Sequence, residues 1–420
     1  MPAMLTLPVI RNTPPCPPVH ALLSIQPAGC ILWETVALTD RKPEGSQHMS
    51  RRPPFRADHV GSYLRPAELA EARAQHADGK IDATELRAVE DRCIAEVVRQ
   101  QEAVGLQGIT DGEFRRTFFH VDFLEQLDGV EVTYGEFSAK FRKDDGSEVG
   151  FRPPTMNVTS KIGHGRSIQG ADFDYLASHA TRTPKVSIPS PSMLHFRGGR
   201  DAISKSVYPD MEDFYADLAA AYRDEIADLA KRGCRYLQLD DTNLAYLCDP
   251  EIRKATVARG YDPDDLTHLY CRMINAAIRD KPADMTIATH LCRGNFKSAW
   301  VAQGGYEPVA EIMFNEMKID AFFLEYDDER SGDFAPLRFM PKDKMVVLGL
   351  MSSKVGKAES ADDIRRRIDE AAQFVDLDQC ALSHQCGFSS TSHGNDLAPG
   401  DQWRKLERCV EVATAVWGGV

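Results

Sequence analysis

The 420-residue sequence contains no apolar stretch that approaches the roughly 20 residues needed to span a bilayer. Insertion of the chain into a membrane is therefore not expected. The sequence also lacks a block rich in lysine and arginine, and its net charge is −13. This balance argues against a general affinity for nucleic acid or anionic membranes, so an anionic substrate must meet a local basic patch.

The N-terminal part of the sequence lacks the features of a secretory signal. Residues 1–50 are rich in proline, and no basic segment is followed there by an apolar run and a small-residue cleavage site. We expect this extension to be disordered or loosely attached, with the natural start at Met49. A single catalytic domain is then expected over residues 51–420.

The ten cysteines are irregularly spaced, and no disulfide framework is indicated. Without a secretory signal they are better interpreted as cytosolic thiols, and we expect a cytoplasmic protein. Four of them lie inside predicted helices or strands, where a small buried hydrophobic side chain is expected: Cys93, Cys234, Cys271 and Cys409. Cys292 and Cys386 differ, because each lies beside a polar turn that contains glycine.

Short apolar runs alternate with long amphipathic segments along most of the chain. The apolar runs predict eight strands, at Phe55–Gly61, Leu106–Asp111, Lys185–Pro189, Tyr236–Asp240, Met285–His290, Ala321–Glu325, Met345–Gly349 and Gln379–Ser383. Helices are predicted at Ala83–Val104, Met211–Arg232, Asp262–Arg279, Val309–Lys318, Ala361–Val375 and Gln402–Trp417. This alternation predicts an α/β fold of the (β/α)8 TIM-barrel type.

One segment interrupts the alternation. Residues 115–182 mix glycine, proline, lysine and aromatic residues, and they include the turn-like sequence Lys143-Asp144-Asp145-Gly146. We predict an insertion after strand 2 in the form of a β-hairpin excursion. Its length suits either a loop that covers a substrate or a disordered decoration.

Polar residues follow the predicted strands at the end where a barrel carries its chemistry. The first four strands end in His59-Val60-Gly61-Ser62, Thr110-Asp111-Gly112-Glu113, Pro189-Ser190-Pro191-Ser192 and Leu239-Asp240-Asp241-Thr242. Asp240 and Asp241 are either pocket carboxylates or caps of the following helix. Glu113 either holds a substrate ammonium group or is a loop residue. Ser62 either contacts a ligand that approaches the backbone at Gly61 or is a turn residue.

Strands 5, 6 and 8 end in four residues of the kind that bind zinc: His290, Cys292, Glu325 and Cys386. In His290-Leu291-Cys292 the two ligands are two residues apart, so they share one face of the strand. Because a barrel brings these strand ends together, the four side chains predict a tetrahedral zinc site. We interpret the nearby His384 as a structural residue of the strand and His393 as a solvated loop residue.

Two cysteine ligands suit thiol activation better than activation of water. A thiol that enters the coordination sphere of zinc loses its proton at neutral pH and becomes a nucleophile. The expected reaction class is therefore alkyl transfer to sulfur. A metal-dependent hydrolase would require ligation rich in His and Asp, which the two cysteines disfavour. A non-catalytic zinc- or thiol-binding protein is an alternative of a different class.

The motifs resemble the catalytic domain of cobalamin-independent methionine synthase. The similar segments are Asp58-His59-Val60-Gly61-Ser62, Thr110-Asp111-Gly112-Glu113-Phe114, Leu237-Gln238-Leu239-Asp240-Asp241, His290-Leu291-Cys292, Glu325 and Cys386-Gly387. They occur in order between about Arg56 and Trp417. The chain is most similar to the short homologues that have a single barrel and lack the N-terminal barrel of the full-length enzyme.

This resemblance implies transfer of a methyl group from 5-methyltetrahydrofolate, or a related folate-like donor, to the zinc-bound thiolate of homocysteine, which gives methionine. The implied zinc ligands are His290, Cys292, Glu325 and Cys386. The implied contacts to the amino acid are Ser62, Glu113 and Asp240, and we predict Asp241 as a further substrate-binding residue. The resemblance implies that Asp240 lies near the substrate ammonium, and we also predict a catalytic role for it.

The sequence departs from the family at the proton donor. Where the full-length enzyme has a histidine in the strand-7 segment, this chain has Gly349-Leu350-Met351-Ser352-Ser353-Lys354. Lys354 is therefore a candidate catalytic residue, either as the acid or as a contact to an anionic group of the donor, with a solvated loop lysine as the alternative. Arg115 and Arg116 likewise either meet an anion or begin a helix in solvent.

The resemblance also leaves alternatives for the substrate that donates the methyl or alkyl group. In the full-length family the N-terminal barrel contributes to binding the polyglutamate tail of folate. The related epoxyalkane-thiol transferases use zinc to direct a thiolate at an epoxide, and a methylated sulfur compound is a further alternative donor. A small thiol and a small alkyl donor are the partners that we expect in each case.

Overall fold

Parallel strands alternate with helices in the computed structural model of the chain, which describes residues 52–134, 139–143, 146–151 and 154–420. The extension predicted over residues 1–50 and the turn residues Asp144 and Asp145 lie outside the described residues. Within the described ranges, no helix is both long enough and apolar enough to cross a membrane.

The strands are β1 (Gly108–Ile109), β2 (Asp128–Thr133), β3 (Ala139–Arg142), β4 (Glu148–Phe151), β5 (Thr155–Gly163), β6 (Thr183–Pro189), β7 (Tyr236–Asp241), β8 (Thr286–Leu291), β9 (Ala321–Glu325), β10 (Met345–Met351) and β11 (Cys380–His384). The helices before β7 are α1 (Ala67–Ala77), α2 (Ala83–Val104), α3 (Val121–Leu124), α4 (Gly170–His179), α5 (Met193–Phe196) and α6 (Met211–Lys231). Those after it are α7 (Asn243–Tyr246), α8 (Pro250–Ala258), α9 (Pro263–Ile278), α10 (Glu307–Glu316), α11 (Ala361–Ala371) and α12 (Pro399–Trp417). Short 3-10 helices occupy Gly199–Ala202, Glu329–Ser331, Ala335–Phe339 and Leu377–Gln379.

The central sheet has seven strands in the order β1-β6-β7-β8-β9-β10-β11. All of its neighbouring strands are parallel. The residues of β7, β8, β9 and β11 are all buried, as expected for strands that are covered on both faces. This is a mixed α/β fold with a curled parallel sheet, consistent with a TIM-like barrel.

The segment predicted as the first strand, Phe55–Gly61, forms only an isolated parallel bridge between Ala57 and Leu382. The reason lies in Asp58, whose carboxylate accepts hydrogen bonds from the backbone N–H groups of Phe55 and His59. Amides that bind this side chain are not available to pair with a neighbouring strand. The segment still lies beside β11, because Asp58 N–H donates to the carbonyl of Leu382 at 2.9 Å.

The predicted insertion over residues 115–182 contains more structure than one hairpin. It holds the short helix α3, an antiparallel pair formed by β2 and β5, a second antiparallel pair formed by β3 and β4, and helix α4. At the predicted turn, Gly146 N–H donates to the carbonyl of Lys143 at 3.0 Å. The N-terminal end of the segment brings Arg116 and the residues around α3 to the carboxyl edge of the sheet.

Side-chain caps define several helix starts where the sequence predicted them. Asp82 caps α2 in a reciprocal arrangement with Glu85, and Asp262 caps α9 just before its first residue, Pro263. Gly105 ends α2 in the left-handed conformation, with a φ of 113°. These helices pack apolar faces against the sheet, which leaves its carboxyl edge for the functional site.

Candidate metal centre and substrate cavity

Four buried side chains of the metal-binding type converge at the carboxyl edge of the sheet. Their ligand atoms all lie within 4.8 Å of one another, and the residues are His290, Cys292, Glu325 and Cys386. His290 belongs to β8 and Cys292 directly follows it, Glu325 is the last residue of β9, and Cys386 follows β11 by two residues. Parallel pairing of β8 with β9, of β9 with β10 and of β10 with β11 brings these strand ends to the same edge of the sheet.

The polar atoms of this cluster are only partly satisfied by the protein. The two sulfur atoms of Cys292 and Cys386 are 3.5 Å apart. One oxygen of Glu325 accepts the backbone N–H of Arg293 at 2.9 Å. The other oxygen of Glu325 and both ring nitrogens of His290 have no hydrogen-bond partner among the described residues, although both side chains are buried.

The electrostatics of the cluster favour one ionised thiol. The hydrogen bond from the Cys292 thiol lowers the pKa of Cys386 well below its usual value, and the imidazole of His290 acts in the same direction. The same hydrogen bond, together with burial, raises the pKa of Cys292. The pair therefore has the character of a thiolate that accepts a hydrogen bond from a thiol.

These residues fit a zinc ion. Two sulfurs, an imidazole nitrogen and a carboxylate oxygen form a donor set that Zn²⁺ binds with tetrahedral geometry. Leaving an imidazole and a carboxylate oxygen buried without partners costs free energy, and a cation bound between them removes that cost. The orphaned atoms of His290 and Glu325 are thus an observation of the protein itself that favours a metal ion.

Two buried cationic side chains interact with the cluster through the charge of Glu325. Lys354 is buried, and its Nζ lies 4.0 Å from the carboxylate of Asp327, whose side chain is also buried. The charges of Asp327 and Glu325 raise the pKa of Lys354 although burial, the largest influence, lowers it. Arg293 is fully buried, with its guanidinium carbon 4.5 Å from the centre of the Tyr306 ring. Lys354 is therefore not the solvated loop lysine that the sequence left as an alternative.

A cavity of about 240 Å³ opens onto the cluster. His290, Cys292 and Cys386 form part of its wall, and Ser62 and Asp240 line it as well. Aromatic side chains form much of the remaining wall: Phe118, Phe119, Phe141, Phe196, Tyr246 and Phe296. The cavity thus combines a metal-binding corner, polar groups and an apolar surface suited to a small organic substrate.

The carboxylates expected to meet an ammonium group lie next to an arginine. Arg116 forms an ion pair with Glu113, and its guanidinium is 4.0 Å from Asp240. Burial raises the pKa of Glu113 to about 8, although Arg116 opposes the rise. Burial also raises the pKa of Asp240, which accepts a hydrogen bond from Gln238 at 2.7 Å. Arg116 therefore occupies the region where a substrate ammonium is expected.

The backbone around Ser62 is held by tight packing. A Cβ added at Gly387 would lie 1.9 Å from the Oγ of Ser62, so a larger residue at this position would displace that hydroxyl. Gly61 has a φ of 133°, and a Cβ there would lie 3.1 Å from a carboxylate oxygen of Glu113. Ser62 and Glu113 are thus positioned by glycines that immediately adjoin the predicted site residues.

The carboxylate of Asp241 is engaged by the protein. Its Oδ1 accepts the backbone N–H groups of Asn243 and Leu244 at 2.7 and 3.0 Å, at the start of α7, and its Oδ2 accepts the hydroxyl of Ser192. These contacts correspond to the helix-cap alternative that the sequence left for this residue. Arg115 is also engaged, with ion pairs that include Asp91 at 2.5 Å, so it is not solvated.

The two remaining histidines of the region lie apart from the cluster. His384 is the last residue of β11, is buried, and packs its ring 4.9 Å from that of Phe388. His393 is exposed, and its ring lies 5.2 Å from that of Phe296. Neither belongs to the metal-binding group, in keeping with the structural and loop interpretations of the sequence.

The sequence interpretation did not identify several residues of the cavity. His120 and Arg197 line it, as do Phe119 and Phe196, which directly precede them in the sequence. The run Phe118-Phe119-His120 within the predicted insertion was the available signal, because adjacent aromatics in a loop need an apolar surface to cover. Which wall they would cover depends on the path of residues 115–182, which no local pattern specifies.

The fold and the site together define a class: an α/β protein with a buried His/Cys/Glu/Cys cluster that could hold a metal ion, at the carboxyl edge of a parallel sheet and facing a cavity. The chain matches the family model of the cobalamin-independent synthase, catalytic domain, over residues 55–413. It therefore belongs to this family, and the resemblance inferred from its motifs is confirmed.

Individual relatives are similar over most of their lengths. The uncharacterized protein YxjH of Bacillus subtilis (strain 168) is 44% identical over 369 residues, which cover 87% of this chain and 96% of that protein. The methionine synthase of Saccharolobus solfataricus is 23% identical over 352 residues, covering 82% and 91%. A candidate vitamin-B12-independent methionine synthase from Listeria monocytogenes, of known crystal structure, is 39% identical with a TM-score of 0.70, covering 87% of this chain and 99% of that chain.

Proposed function

We propose that this protein is a zinc-dependent methyltransferase of the cytoplasm that transfers a methyl group from 5-methyltetrahydrofolate, or a related donor, to the sulfur of homocysteine. The product is methionine. The observation that carries this proposal is the cluster of His290, Cys292, Glu325 and Cys386, whose ligand atoms lie within 4.8 Å of one another beside a cavity. Membership of the cobalamin-independent synthase family supports it.

The four cluster residues would hold the zinc ion. When bound, zinc supplies the positive charge that favours the deprotonated form of a thiol substrate at neutral pH. The protein contributes a rigid and dry setting, because all four ligand residues are buried and three of them lie in or directly after central strands. The pre-set positions reduce the entropy that is lost when a substrate is oriented.

Glu113 and Asp240 would bind the ammonium group of homocysteine. Both carboxylates are buried, and a cationic amine offsets the cost of keeping them ionised. Because burial raises the pKa of Glu113 to about 8, arrival of the ammonium favours release of a proton from this residue at neutral pH. Arg116 then remains near the amino acid as a partner for its carboxylate, together with the hydroxyl of Ser62.

Asp240 would also orient the reacting end of the substrate. Its side chain lines the same cavity as His290, and the charge of His290 opposes the rise in the pKa of Asp240 that burial causes. A carboxylate in this position would hold the amino group near the four residues that would bind zinc, and a short side chain would then direct its sulfur towards them. We do not extend the proposal to Asp241, whose oxygens bind Ser192 and the start of α7.

Lys354 would act on the metal centre through its positive charge and not through contact with the substrate. Its ammonium group interacts with the charges of Asp327 and Glu325, and it is not among the residues that line the substrate cavity. This placement supports a role in keeping Glu325 ionised, and an acid that reaches the donor would have to approach from the cavity side. Lys354→Met should then slow methyl transfer more than it weakens binding of the thiol, and an unchanged rate would remove Lys354 from the mechanism.

Mass spectrometry tests the proposed function directly. The zinc-loaded protein is incubated with homocysteine and 5-methyltetrahydrofolate, and methionine is measured against a Cys292→Ser control. Methionine formed only by the intact protein supports the full proposal. Zinc binding without methionine would contradict the folate donor, and the same assay would then be run with an epoxide or a methylated sulfur compound as the alkyl donor.

A further inference from the structure

The substrate cavity carries more positive charge than the proposed amino-acid contacts use. Arg116, Arg197 and Arg259 line this cavity, whereas Asp240 is the one carboxylate among the described residues that do so. Arg116 is already paired with Glu113. The other two arginines are neighbours, because the Arg259 guanidinium donates to the backbone carbonyl of Arg197 at 3.4 Å.

Arg197 has no charged partner within the part of the chain that the structure describes. Its side chain is half-buried, and among the described residues no carboxylate forms an ion pair with it and no group accepts a hydrogen bond from its guanidinium. Burial lowers its pKa, as expected for a guanidinium whose desolvation no carboxylate offsets. A half-buried arginine without an anion is unusual, because its five N–H donors favour pairing with oxygen anions.

His120 provides an independent observation on the same cavity. It directly precedes α3, it is 3% exposed, and neither of its ring nitrogens has a hydrogen-bond partner among the described residues. Its ring lies 4.6 Å from the ring of Phe119. Burial and the nearby charges of Arg197 and Arg116 lower its pKa well below the usual value, so the neutral ring keeps one N–H donor. Buried groups of this kind normally have a partner, which here would be a ligand.

We propose that Arg197 and His120 form a subsite for an anionic oxygen group of the carboxylate class that belongs to the alkyl donor. The inference rests on the proposed function, because it specifies the second substrate of the same site. A guanidinium and an imidazole N–H together recognise such a group by charge-assisted hydrogen bonds. Phe119 and Phe196, which line the same cavity, provide an apolar surface for a flat body attached to that group.

The amino acid and the donor use different cations in this arrangement. Arg116 adjoins Glu113 and Asp240, which are the proposed ammonium contacts, so it is the arginine within reach of the amino-acid carboxylate. Arg197 pairs with neither of those carboxylates. Its charge therefore distinguishes donors that carry an anionic group from neutral donors of the same size, and such a donor gains binding energy that a neutral one lacks.

Binding of a probe tests the subsite without any turnover. Isothermal titration calorimetry would compare 4-aminobenzoate with its neutral analogue 4-aminobenzamide on the zinc-loaded full chain, in the presence of saturating homocysteine. We expect the carboxylate to bind at least about tenfold more tightly than the amide. Arg197→Gln should remove that preference, Arg197→Lys should retain part of it, and His120→Gln should weaken carboxylate binding alone. Arg338→Gln, an exposed arginine paired with Glu307, is the matched control and should bind like the wild type.

Three results would overturn the inference: equal affinities for the carboxylate and the amide, unchanged binding in Arg197→Gln, or carboxylate binding that is seen in a parallel titration without homocysteine but lost when homocysteine is saturating. The last result would assign Arg197 to the amino acid. Failure of the proposed function is separable, because Cys386→Ser removes a zinc ligand but leaves Arg197 and His120 in place. Probe binding that persists in Cys386→Ser, with no methionine formed by the wild type, would leave the subsite intact and reject only the reaction.

Discussion

Replacing Lys354 by methionine should destabilise the metal-free protein strongly and the zinc-bound protein less. The Lys354 side chain is 2% exposed, and its Nζ lies 4.0 Å from the carboxylate of Asp327, which is 3% exposed. At an effective dielectric constant of about 20, two unit charges at this distance attract by about 4 kcal/mol. The side chain also interacts with Glu325, so its loss leaves two buried carboxylates less well compensated.

The contacts of Asp327 narrow the range expected for the loss in free energy of unfolding in Lys354→Met. Removing one partner of a buried ion pair typically costs about 3–5 kcal/mol. Arg330 also pairs with Asp327, at 3.6 Å, and therefore retains part of the compensation. For Lys354→Met we therefore expect the free energy of unfolding to fall by about 3 kcal/mol, which is the lower end of that range. Zinc binds the native state and compensates Glu325, so the loss should be smaller when the metal is saturating.

Urea unfolding with excess chelator and with saturating zinc measures both quantities. Lys357→Met is a matched control, because Lys357 is an exposed lysine three residues further along the chain. It should change the free energy of unfolding by less than about 0.5 kcal/mol. A loss of less than about 1 kcal/mol for Lys354→Met without metal would refute the placement of its charge. Equal losses with and without zinc would refute the link between Lys354 and Glu325.

Three further predictions concern the cluster, its backbone and the response to pH. Cys386→Ser should lose zinc on dialysis and abolish alkyl transfer while circular dichroism shows a retained fold. Gly387→Ala should raise the KM for homocysteine about tenfold or more, because the added Cβ would lie 1.9 Å from the Oγ of Ser62. Gly150 has open space around it, so the control variant Gly150→Ala should leave this KM unchanged. Stability should fall as the pH drops from about 6.5 to 4, because burial lowers the pKa of His195 to about 4 while the unfolded chain takes up the proton near 6.5. His195→Gln should reduce that dependence by up to about 3 kcal/mol, as measured by urea unfolding across this pH range.

Each of these predictions has a clear contrary result. Full zinc content and full activity in Cys386→Ser would remove this residue from the metal site. A normal KM in Gly387→Ala would show that Ser62 does not contact the amino acid, or that its backbone adjusts without cost. An unchanged acid dependence in His195→Gln would show that this histidine is not held neutral in the folded protein.

The metal-binding cluster illustrates what can be predicted from sequence in a parallel α/β protein. His290 and Cys292 share a strand face by their spacing, and polar residues after apolar runs meet at one edge of such a sheet. Glu325 and Cys386 follow from the same rule, and all four side chains converge in the structure. Burial could not be predicted from the motif alone, nor could the hydrogen bond between the two thiols, which depends on the distance between β8 and β11.

The features that the sequence did not predict correctly have identifiable physical causes. The composition of Phe55–Gly61 predicts a strand, but two backbone N–H groups of this segment donate hydrogen bonds to the Asp58 carboxylate instead of to a neighbouring strand. The pattern of hydrophobic residues does not indicate this local competition. His120 and Arg197 lie on different segments that only the tertiary fold brings to one cavity. The burial of Lys354 is likewise a tertiary property, because a lysine after a serine pair resembles a loop residue in the sequence.

X-ray absorption at the zinc edge reports the atoms that surround the metal in the loaded protein. We expect a four-coordinate ion with two sulfur and two nitrogen or oxygen neighbours, and one sulfur neighbour in Cys386→Ser if any zinc is retained. A shell of nitrogen and oxygen atoms alone, or a wild-type spectrum from the Cys386→Ser protein, would contradict the assignment of His290, Cys292, Glu325 and Cys386 as the zinc ligands.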